Sequence, residues 1–220
     1  MRKRQRKSEK LFNSSDISAL REEEMYEIRK HKTEIREYYL DLRRKISAED
    51  KKALDDKLVN IVLASATYRY ADTILMYYAK NDEVNINEVA WAAVKAGKKV
   101  AFPRTNPEDR SMVFHYVTSP DDFEMGAYGL SEPKADLPSF EVTGELQNNV
   151  ICIIPAVVYD KKGYRIGYGG GYYDRYLSSF KGTKVGVEYH EYIVGTVPHG
   201  RFDLAVDVLI SEKGIYPKKI

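Results

Sequence analysis

A short apolar run that passes through a glycine-rich turn into a helical segment restricts the fold of this chain more than any other feature. The segment is residues 151–177, ICIIPAVVYDKKGYRIGYGGGYYDRYL. A buried strand, a turn and a helix in this order form the unit from which parallel α/β sheets are built. Strand and helix patterns alternate along the rest of the chain, so we predict a single three-layer, Rossmann-like α/β domain with helices flanking a largely parallel central sheet. Ligands of such sheets bind at loops beyond the carboxyl ends of the strands.

Apolar periodicity and capping residues place the first two helices. A stripe of apolar side chains predicts an amphipathic helix over residues 28–46, with Tyr39 in the core. Ser47 followed by Asp50 resembles a capping box, which predicts the start of a second helix. The second helix is expected to turn four apolar side chains to the core: Leu54, Leu58, Ile61 and Val62.

The remaining elements alternate between strands and helices. Asn85 and Glu88 are predicted to cap a helix that ends at Gly97, with Trp91 on its apolar face, and residues 172–177 are predicted to form another. The predicted strands are residues 73–78, 99–102, 112–117, 150–154, 185–187 and 204–210. The Pro-, Asp- and Ser-rich segment 119–149 is the least regular, and we expect an active-site flap or a surface excursion.

Composition bounds the class of protein. The chain has 220 residues, 43% of them hydrophobic, which suits one globular domain. No apolar stretch approaches the roughly 20 residues that span a bilayer, and the amino terminus lacks the apolar core of a signal peptide, so we expect a cytoplasmic protein. The single cysteine, Cys152, lies in an apolar run and is predicted to be a buried thiol. The four histidines show no ligand spacing, so any metal should be bound by oxygen.

The charged residues nearly balance, at 35 Lys and Arg against 33 Asp and Glu. A net charge of +2 gives no electrostatic footprint for nucleic acid, and we expect no membrane or nucleic-acid partner. The exception is a basic extension, residues 1–26, which we predict to be flexible and separate from a domain over residues 27–220. Contact of this extension with RNA, membrane or an acidic partner is the alternative to a solvated tail.

The glycine-rich turn has the composition of an anion site. Gly167, Gly169, Gly170 and Gly171 allow the backbone to approach a phosphate closely. Arg165 precedes them and is suited to clamp phosphate oxygens, while Asp174 falls in the first helical turn, where a carboxylate can hold magnesium. Such turns also serve as hairpin tips or packing points. The pattern is neither a Walker A loop nor G-x-G-x-x-G, because no Lys-Ser/Thr follows the glycines and Tyr172 replaces the third glycine.

Residues 165–174, RIGYGGGYYD, closely resemble the glycine loop of the 5-formyltetrahydrofolate cyclo-ligase family, Arg-Leu-Gly-x-Gly-x-Gly-Tyr-Tyr-Asp. The resemblance extends from about residue 27 to 215, and further landmarks follow in the family's order. These are Lys32 with Arg36, residues 81–84 (NDEV), residues 102–104 (FPR), Glu132 with Pro133, and Asp203 with Asp207. Phe202 stands where the family has a histidine before its aspartate, so Asp207 remains the alternative to Asp203 as a metal ligand.

The resemblance implies ATP- and magnesium-dependent cyclisation of 5-formyltetrahydrofolate to 5,10-methenyltetrahydrofolate, with release of ADP and phosphate. By the same resemblance, Arg165 and Tyr172 are catalytic, and Asp174 and Asp203 bind magnesium. The implied ATP-binding residues are Lys32, Arg36, Arg165, Ile166, Gly167, Tyr168, Gly169, Gly170, Gly171, Tyr172 and Tyr173. The implied folate-binding residues are Tyr78, Glu83, Tyr168, Gly170 and Tyr172. The oligomeric state stays open.

Each of these residues also has a simpler interpretation. Lys32 and Arg36 are spaced as on a solvated helix surface, and Glu83 as an exposed loop acid. Asp174 could merely complement a helix dipole, and some of the tyrosines must pack the core. At the level of function, the alternatives are a folate- or nucleotide-binding regulator without turnover, and a protein that binds nucleic acid through its basic extension.

Overall fold

Five α-helices and twelve strands make up the described part of the chain, residues 14–80, 82–142 and 147–216 of the computed structural model, with side chains described from residue 22 onward. The helices are α1 (Ser14–Arg44), α2 (Ala48–Ala64), α3 (Ala66–Tyr70), α4 (Asn87–Lys95) and α5 (Tyr172–Leu177). The strands are β1 (Thr73–Leu75), β2 (Lys99–Asn106), β3 (Ser111–Val117), β4 (Phe123–Met125), β5 (Ser131–Pro133), β6 (Val150–Ile154), β7 (Val158–Asp160), β8 (Arg165–Ile166), β9 (Thr183–Val187), β10 (Ile193–Val194), β11 (Val208–Ser211) and β12 (Gly214–Tyr216). None of these helices is long and apolar enough to cross a membrane.

Seven strands form the central sheet in the order β12-β11-β9-β6-β1-β2-β3. The pairs between β11, β9, β6, β1 and β2 are parallel, and the two edge pairs are antiparallel. Because successive strand residues face opposite sides, Ile74 and Ile153 pack with α2 and α4, whereas Leu75 and Cys152 pack with α5. The predicted three-layer α/β domain with a largely parallel sheet is therefore confirmed.

A second, three-stranded sheet, β10-β7-β8, carries the glycine-rich turn. Its apolar residues Val158 and Ile166 pack with Val197 and with Ile35 and Tyr39 of α1. Burial of this apolar stripe explains why α1 lies across the turn that follows β8, and α1 thereby brings its polar side chains to that turn.

Several predicted boundaries were imprecise. The first helix begins at Ser14 instead of residue 28, so residues 14–26 of the predicted extension belong to α1, while residues 1–13 lie outside the described residues. The strand predicted over 73–78 ends at Leu75. Met76 and Tyr77 lie beyond the strand but are still buried, and for this reason their apolar pattern resembled that of a strand.

The strand at 99–102 runs on to Asn106, since it pairs with β3 as a hairpin. The strand at 204–210 spans only Val208–Ser211. Ile86 is the N-cap of α4, and Asn85 instead accepts a hydrogen bond from the Asn87 N–H at 3.1 Å, with Glu88 in the first turn.

The capping prediction for α2 is confirmed. The Ser47 hydroxyl accepts a hydrogen bond from the Asp50 N–H at 3.0 Å. Of the four apolar side chains predicted to face the core, Leu58 and Val62 are fully buried, and Leu54 and Ile61 pack against the same cluster. Trp91 and Tyr39 are half-buried against this cluster, as expected.

The segment 119–149 contains the small antiparallel pair β4-β5, and residues 143–146 lie outside the described residues. Glu132 of β5 is buried and accepts hydrogen bonds from the Thr105 N–H and hydroxyl at 3.2 and 2.6 Å. Arg104 of β2 donates to the Pro133 carbonyl at 2.7 Å. Two sequence landmarks, FPR and Glu-Pro, are thus joined to each other, and they fix this segment to the central sheet.

Candidate active site

The site lies where loops leave the carboxyl ends of β1, β6 and β9. The chain after β6 turns back through β7 and β8, and the Val157 N–H donates to the Ile166 carbonyl at 2.8 Å. The glycine-rich turn follows at once, between β8 and α5. This is the edge at which parallel sheets bind ligands.

The glycine-rich turn (residues 167–171, the glycine loop) needs glycine at specific positions. Gly169 and Gly171 have φ of +99° and +71°, a region that side chains disfavour. A Cβ at Gly170 would lie 2.8 Å from the Tyr172 ring. The loop therefore presents bare backbone to its surroundings, as an anion site requires.

Helix α1 places Lys32 and Arg36 against this region. The Arg36 Nε donates to the Gly167 carbonyl at 2.7 Å, and a Cβ added at Gly169 would lie 3.5 Å from the Arg36 Cζ. Burial lowers the pKa of the Arg36 guanidinium, and Glu37 opposes that shift. The Lys32 Nζ lies 2.6 Å from Asp203 Oδ2, in a largely buried ion pair. Of the two residues predicted to bind phosphate, Arg36 thus contacts the glycine loop and Lys32 contacts Asp203.

Arg165 joins the start of the glycine loop to two other segments. Its guanidinium is almost fully buried, donating to the Leu204 carbonyl at 3.0 Å and to Asp174 Oδ1 at 2.7 Å. The Asp174 side chain retains 34% of its exposure. The Arg165 guanidinium therefore holds Asp174, one predicted metal ligand, and also the backbone next to Asp203, the other predicted metal ligand.

Asp203 and Asp207 have different surroundings. The Asp203 carboxylate accepts hydrogen bonds from Lys32 and from the Gly200 N–H at 2.6 Å. Asp207 pairs with Lys184 at the amino end of β9, 2.9 Å from its Nζ. Asp203 precedes Leu204, whose carbonyl accepts from Arg165, and the same guanidinium pairs with Asp174. Asp203 therefore remains the expected partner of Asp174, with Asp207 as the alternative.

The donor chemistry at Asp174 and Asp203 fits a hard dication. Both offer carboxylate oxygen, the ligand type that magnesium prefers, and neither is fully enclosed by protein. In the described residues, no group of three or more His, Cys, Asp or Glu side chains converges as a metal site. A magnesium ion here would therefore need phosphate oxygens or water to complete its shell.

Tyr172 is joined to the segment 119–149. Its hydroxyl lies 2.9 Å from that of Tyr128, a residue with φ of +57°. This hydrogen bond, followed by burial, raises the pKa of Tyr172. The Arg175 guanidinium lies over the Tyr172 ring, 5.6 Å from its centroid. Sequence reasoning missed Tyr128, although it did predict that this segment would reach the active site or the surface.

Glu83 acts electrostatically on Tyr168, a residue of the glycine loop. Glu83 is buried, and its Oε2 accepts a hydrogen bond from the Lys80 N–H at 2.9 Å. Burial raises the pKa of Glu83, against the effect of that hydrogen bond. The Lys80 Nζ lies 5.5 Å from the Tyr168 ring centroid. Burial and then the charge of Glu83 raise the pKa of Tyr168, so the two predicted folate ligands are electrostatically coupled. Glu83 is not the exposed loop acid of the simpler interpretation.

Tyr78 stands apart from this pair. It follows β1 with 37% of its surface exposed, and its ring contacts Phe102 and Phe123 at centroid distances of 5.9 and 4.9 Å. Trp91 packs on the same two phenylalanines. Tyr78 is therefore one face of an aromatic cluster that borders the site.

Tyr173 and Cys152 lie beneath the loop. The Tyr173 hydroxyl is buried and has no hydrogen-bond partner among the described residues. Burial raises the pKa of Tyr173 and of the Cys152 thiol. The prediction that Cys152 is a buried thiol is confirmed. A buried hydroxyl without a partner marks the underside of the loop as a polar position.

A buried ion pair between Arg43 and Glu188 was missed by sequence reasoning. Arg43 of α1 and Glu188, which follows β9, are fully enclosed and hydrogen-bonded to each other. The Arg43 guanidinium also donates to the Ala156 and Val157 carbonyls at 2.8 and 2.9 Å. Burial raises the pKa of Glu188 to about 8, although Arg43 opposes the shift. The only sequence signal was that Arg43 follows Tyr39 by one helical turn on the apolar side of α1.

Comparison with known proteins gives a consistent result. The model of the 5-formyltetrahydrofolate cyclo-ligase family matches residues 28–212. A Caenorhabditis elegans protein named "Probable 5-formyltetrahydrofolate cyclo-ligase" is 26% identical over 86% of this chain and 96% of its own. The Haemophilus influenzae 5-formyltetrahydrofolate cyclo-ligase is 26% identical, covering 82% and 95%.

The structure has a matching neighbour. The solved structure of Aquifex aeolicus 5,10-methenyltetrahydrofolate synthetase superimposes with a TM-score of 0.74 at 27% identity, covering 86% of this chain and 93% of that one. The Mycoplasma pneumoniae protein of the same name shares the fold, with a TM-score of 0.65 at 23% identity. The family match spans the glycine loop, Lys32 with Arg36, the Glu83 loop and Asp203 together, and the chain belongs to the 5-formyltetrahydrofolate cyclo-ligase family.

Proposed function

We propose that this protein catalyses the ATP- and magnesium-dependent cyclisation of 5-formyltetrahydrofolate to 5,10-methenyltetrahydrofolate, with release of ADP and phosphate. The observation that carries the proposal is that the glycine loop connects two sets of side chains. The first set, which we call the phosphate side, is Lys32, Arg36 and the Arg165–Asp174 pair, with Arg36 bonded to the Gly167 carbonyl. The second set, which we call the folate side, is Glu83 together with Tyr168 of the loop itself.

The chemistry consists of two displacements. The formyl oxygen of the folate attacks the γ-phosphorus of ATP, and ADP leaves with the bonding electrons. The N10 nitrogen then attacks the carbon of the phosphorylated imidate and closes the ring. The C–O bond to phosphate breaks, phosphate leaves with the bonding electrons, and the N10 proton is released to phosphate or solvent. Neither displacement requires a nucleophile from the protein, so the protein has to orient the two substrates and stabilise charge.

The phosphate side supplies the charge control. Arg36 brings a positive charge to the Gly167 carbonyl of the glycine loop, and Lys32, one helical turn earlier on α1, brings a second to Asp203. Arg165 is fixed by the Leu204 carbonyl, which leaves its planar fork little freedom to move away from the loop. In this proposal, the backbone N–H groups of the loop and these three cations hold the triphosphate.

Asp174 and Asp203 would hold the magnesium ion. When bound there, the ion would neutralise triphosphate charge. Because Lys32 is now paired with Asp203, binding of a magnesium–triphosphate complex would let each find a new partner of opposite charge. Lys32 would then serve phosphate, and Asp203 the metal.

The folate side supplies recognition. A buried carboxylate such as Glu83 is suited to accept hydrogen bonds from the amino groups of a pterin, and Tyr168 offers a flat wall beside it. The Tyr172 hydroxyl is hydrogen-bonded to that of Tyr128. In this proposal, it helps to keep the formyl oxygen and the phosphorus in line.

The test is a turnover assay with the purified full-length protein. It is mixed with 5-formyltetrahydrofolate, ATP and magnesium, and the ultraviolet absorbance of the conjugated methenyl product is followed together with ADP. We expect both products in equal amounts, and neither when ATP or magnesium is left out. Turnover that persists without nucleotide would contradict the proposal. Tight folate binding with no turnover would favour the regulator.

A further inference from the structure

The loop that carries Glu83 is held at three points by side chains from other parts of the chain. Arg43 of α1 donates to the Asp82 carbonyl at 3.2 Å. Tyr77 donates through its hydroxyl to the Val84 carbonyl at 2.6 Å. The Asn85 N–H donates to Asp55 of α2 at 2.9 Å. These contacts fix residues before and after Glu83 in the chain, and the three side chains that make them, Arg43, Tyr77 and Asp55, are buried.

Two of these holding side chains depend on consecutive residues after β9. Glu188 pairs with Arg43, and the Tyr189 hydroxyl donates to Asp55 Oδ1 at 2.7 Å. The Tyr189 N–H in turn donates to Glu188 Oε1 at 2.9 Å. The consecutive residues Glu188 and Tyr189 therefore bind Arg43 of α1 and Asp55 of α2, the two helix side chains that hold the loop.

The buried positive charge of Arg43 is paired with the negative charge of Glu188. Arg43 makes its shortest contact with Glu188, although the Glu83 carboxylate is near enough to feel the same guanidinium. A buried cation needs a counter-charge, and Glu188 supplies it. Glu83, whose Oε2 accepts only from the Lys80 N–H among the described residues, is thereby left to a ligand.

We propose that Arg43, Asp55, Glu188 and Tyr189 are positioning residues that hold the Asp82–Asn85 loop so that Glu83 meets the folate, and that they set the affinity for folate without affecting ATP. The inference rests on the proposed function, because it takes the folate to bind at Glu83. None of the four needs to touch the substrate, since each acts through the loop.

Tyr189→Phe is the cleanest test, because it removes one hydroxyl and leaves the Asp55–Asn85 bond and the Arg43–Glu188 pair in place. We expect the KM for 5-formyltetrahydrofolate to rise about threefold to tenfold, the cost of one buried hydrogen bond, with kcat and the KM for ATP within about twofold of wild type. Amides 82–87 should exchange hydrogen faster in the free protein. The matched control is Tyr216→Phe on the edge strand β12, which removes a hydroxyl bonded to the His190 side chain. This variant should change neither the KM for folate nor the amide exchange of residues 82–87.

A second variant separates positioning from plain stability. Arg43→Met alone would leave Glu188 buried without a counter-charge, which is costly enough to threaten folding. The double variant Arg43→Met/Glu188→Met removes both charges and should fold. With positioning, its folate KM stays raised by about tenfold or more, because the Asp82 carbonyl has lost its donor, while its ATP KM is unchanged.

Three outcomes would overturn the inference: a Tyr189→Phe protein that melts earlier yet keeps wild-type folate KM and amide exchange, a double variant with wild-type folate KM, or equal changes in the KM values for folate and ATP. Failure of the proposed function is distinguishable. It would show as absent turnover in wild type, whereas the amide-exchange comparison needs no substrate. If the exchange at residues 82–87 then matched wild type in both variants, the holding role itself would be wrong.

Discussion

The proposed phosphate side and the proposed folate side of the site are built from different kinds of contact. The phosphate side is a set of charged side chains whose ion pairs, Lys32–Asp203 and Arg165–Asp174, retain some solvent exposure. The folate side rests on enclosed contacts, with Arg43–Glu188 almost without exposure and Tyr77 bonded to the loop backbone. One region is held by pairs that can exchange partners, and the other by pairs that cannot do so without breaking the core.

This difference matches what each ligand asks of a site. A triphosphate arrives with its own charges and with magnesium, so partly solvated pairs that open at modest cost suit it. A pterin ring offers few charges and relies on shape and directed hydrogen bonds, which require a preformed wall. We therefore expect variants on the phosphate side to alter chemistry and ATP use, and variants behind Glu83 to alter folate affinity.

The largest effect should come from Asp174→Asn. The substitution removes a proposed metal ligand and the counter-charge of Arg165, so turnover should fall by about 100-fold or more, with partial recovery at raised magnesium. Turnover as a function of magnesium concentration, with a melting curve as the folding check, measures it. Asp203→Asn should follow the same pattern, whereas Asp207→Asn, on Lys184, should not. A normal dependence of turnover on magnesium concentration in Asp174→Asn would show that Asp174 is not a magnesium ligand.

The next effect is a crossover between the two sides. Arg36→Ala removes a cation at the Gly167 carbonyl and should raise the KM for ATP by about tenfold with little change for folate. Glu83→Gln should do the reverse. Initial rates with one substrate varied at saturation of the other measure both. Variants that raise both KM values together would show that the two sides are one coupled unit.

A smaller effect is expected from Tyr128→Phe. The lost hydroxyl is half of the contact between the segment 119–149 and Tyr172, and this contact is exposed, so turnover should fall by about twofold to fivefold with no measurable loss of stability. Steady-state kinetics and a melting curve decide it. Tyr70→Phe, an exposed tyrosine on α3, is the control. An equal fall in that control would show that the Tyr128–Tyr172 contact plays no part.

The smallest effect should follow deletion of residues 1–13. The deletion ends before α1 begins, and the side chains assigned to the two sides lie between residues 32 and 203. Turnover and both KM values should stay within about twofold of the full chain. A selective loss of RNA or vesicle binding with normal turnover would assign the basic extension a separate role. A fall in turnover would place it in the catalytic unit.

The phosphate side could be predicted from sequence because its residues are consecutive or periodic. Residues 165–174 form one strand–turn–helix unit, and Lys32 and Arg36 share a helical face. Local pattern therefore determines where these groups point. The same reasoning located β6, α5 and the start of α2, since each has a local signal in apolar runs, glycines or a capping serine.

The support behind Glu83 could not be predicted in this way. Arg43, Asp55, Tyr77 and Tyr189 are far apart in sequence and meet only after the sheet has formed. Asp55 looks like any acid at a helical spacing from Lys51, with which it pairs, and nothing in residues 188 and 189 marks them as buried. The carboxyl end of β1 was misplaced for a related reason, because Met76 and Tyr77 stay buried after the chain leaves the ladder.

The Lys32–Asp203 pair also bears on how the enzyme is made. It spans 171 positions of the chain, so the phosphate side combines an early segment with a late one. A ribosome adds residues one at a time, and domains settle as their parts emerge. The glycine loop and α1 can meet once residue 171 has emerged, but Lys32 lacks its counter-charge until residue 203 follows. Chains that end between residues 171 and 203 should therefore contain part of the central sheet but an incomplete catalytic centre. Synthesis of the segment around residue 203 is then the event that completes the site.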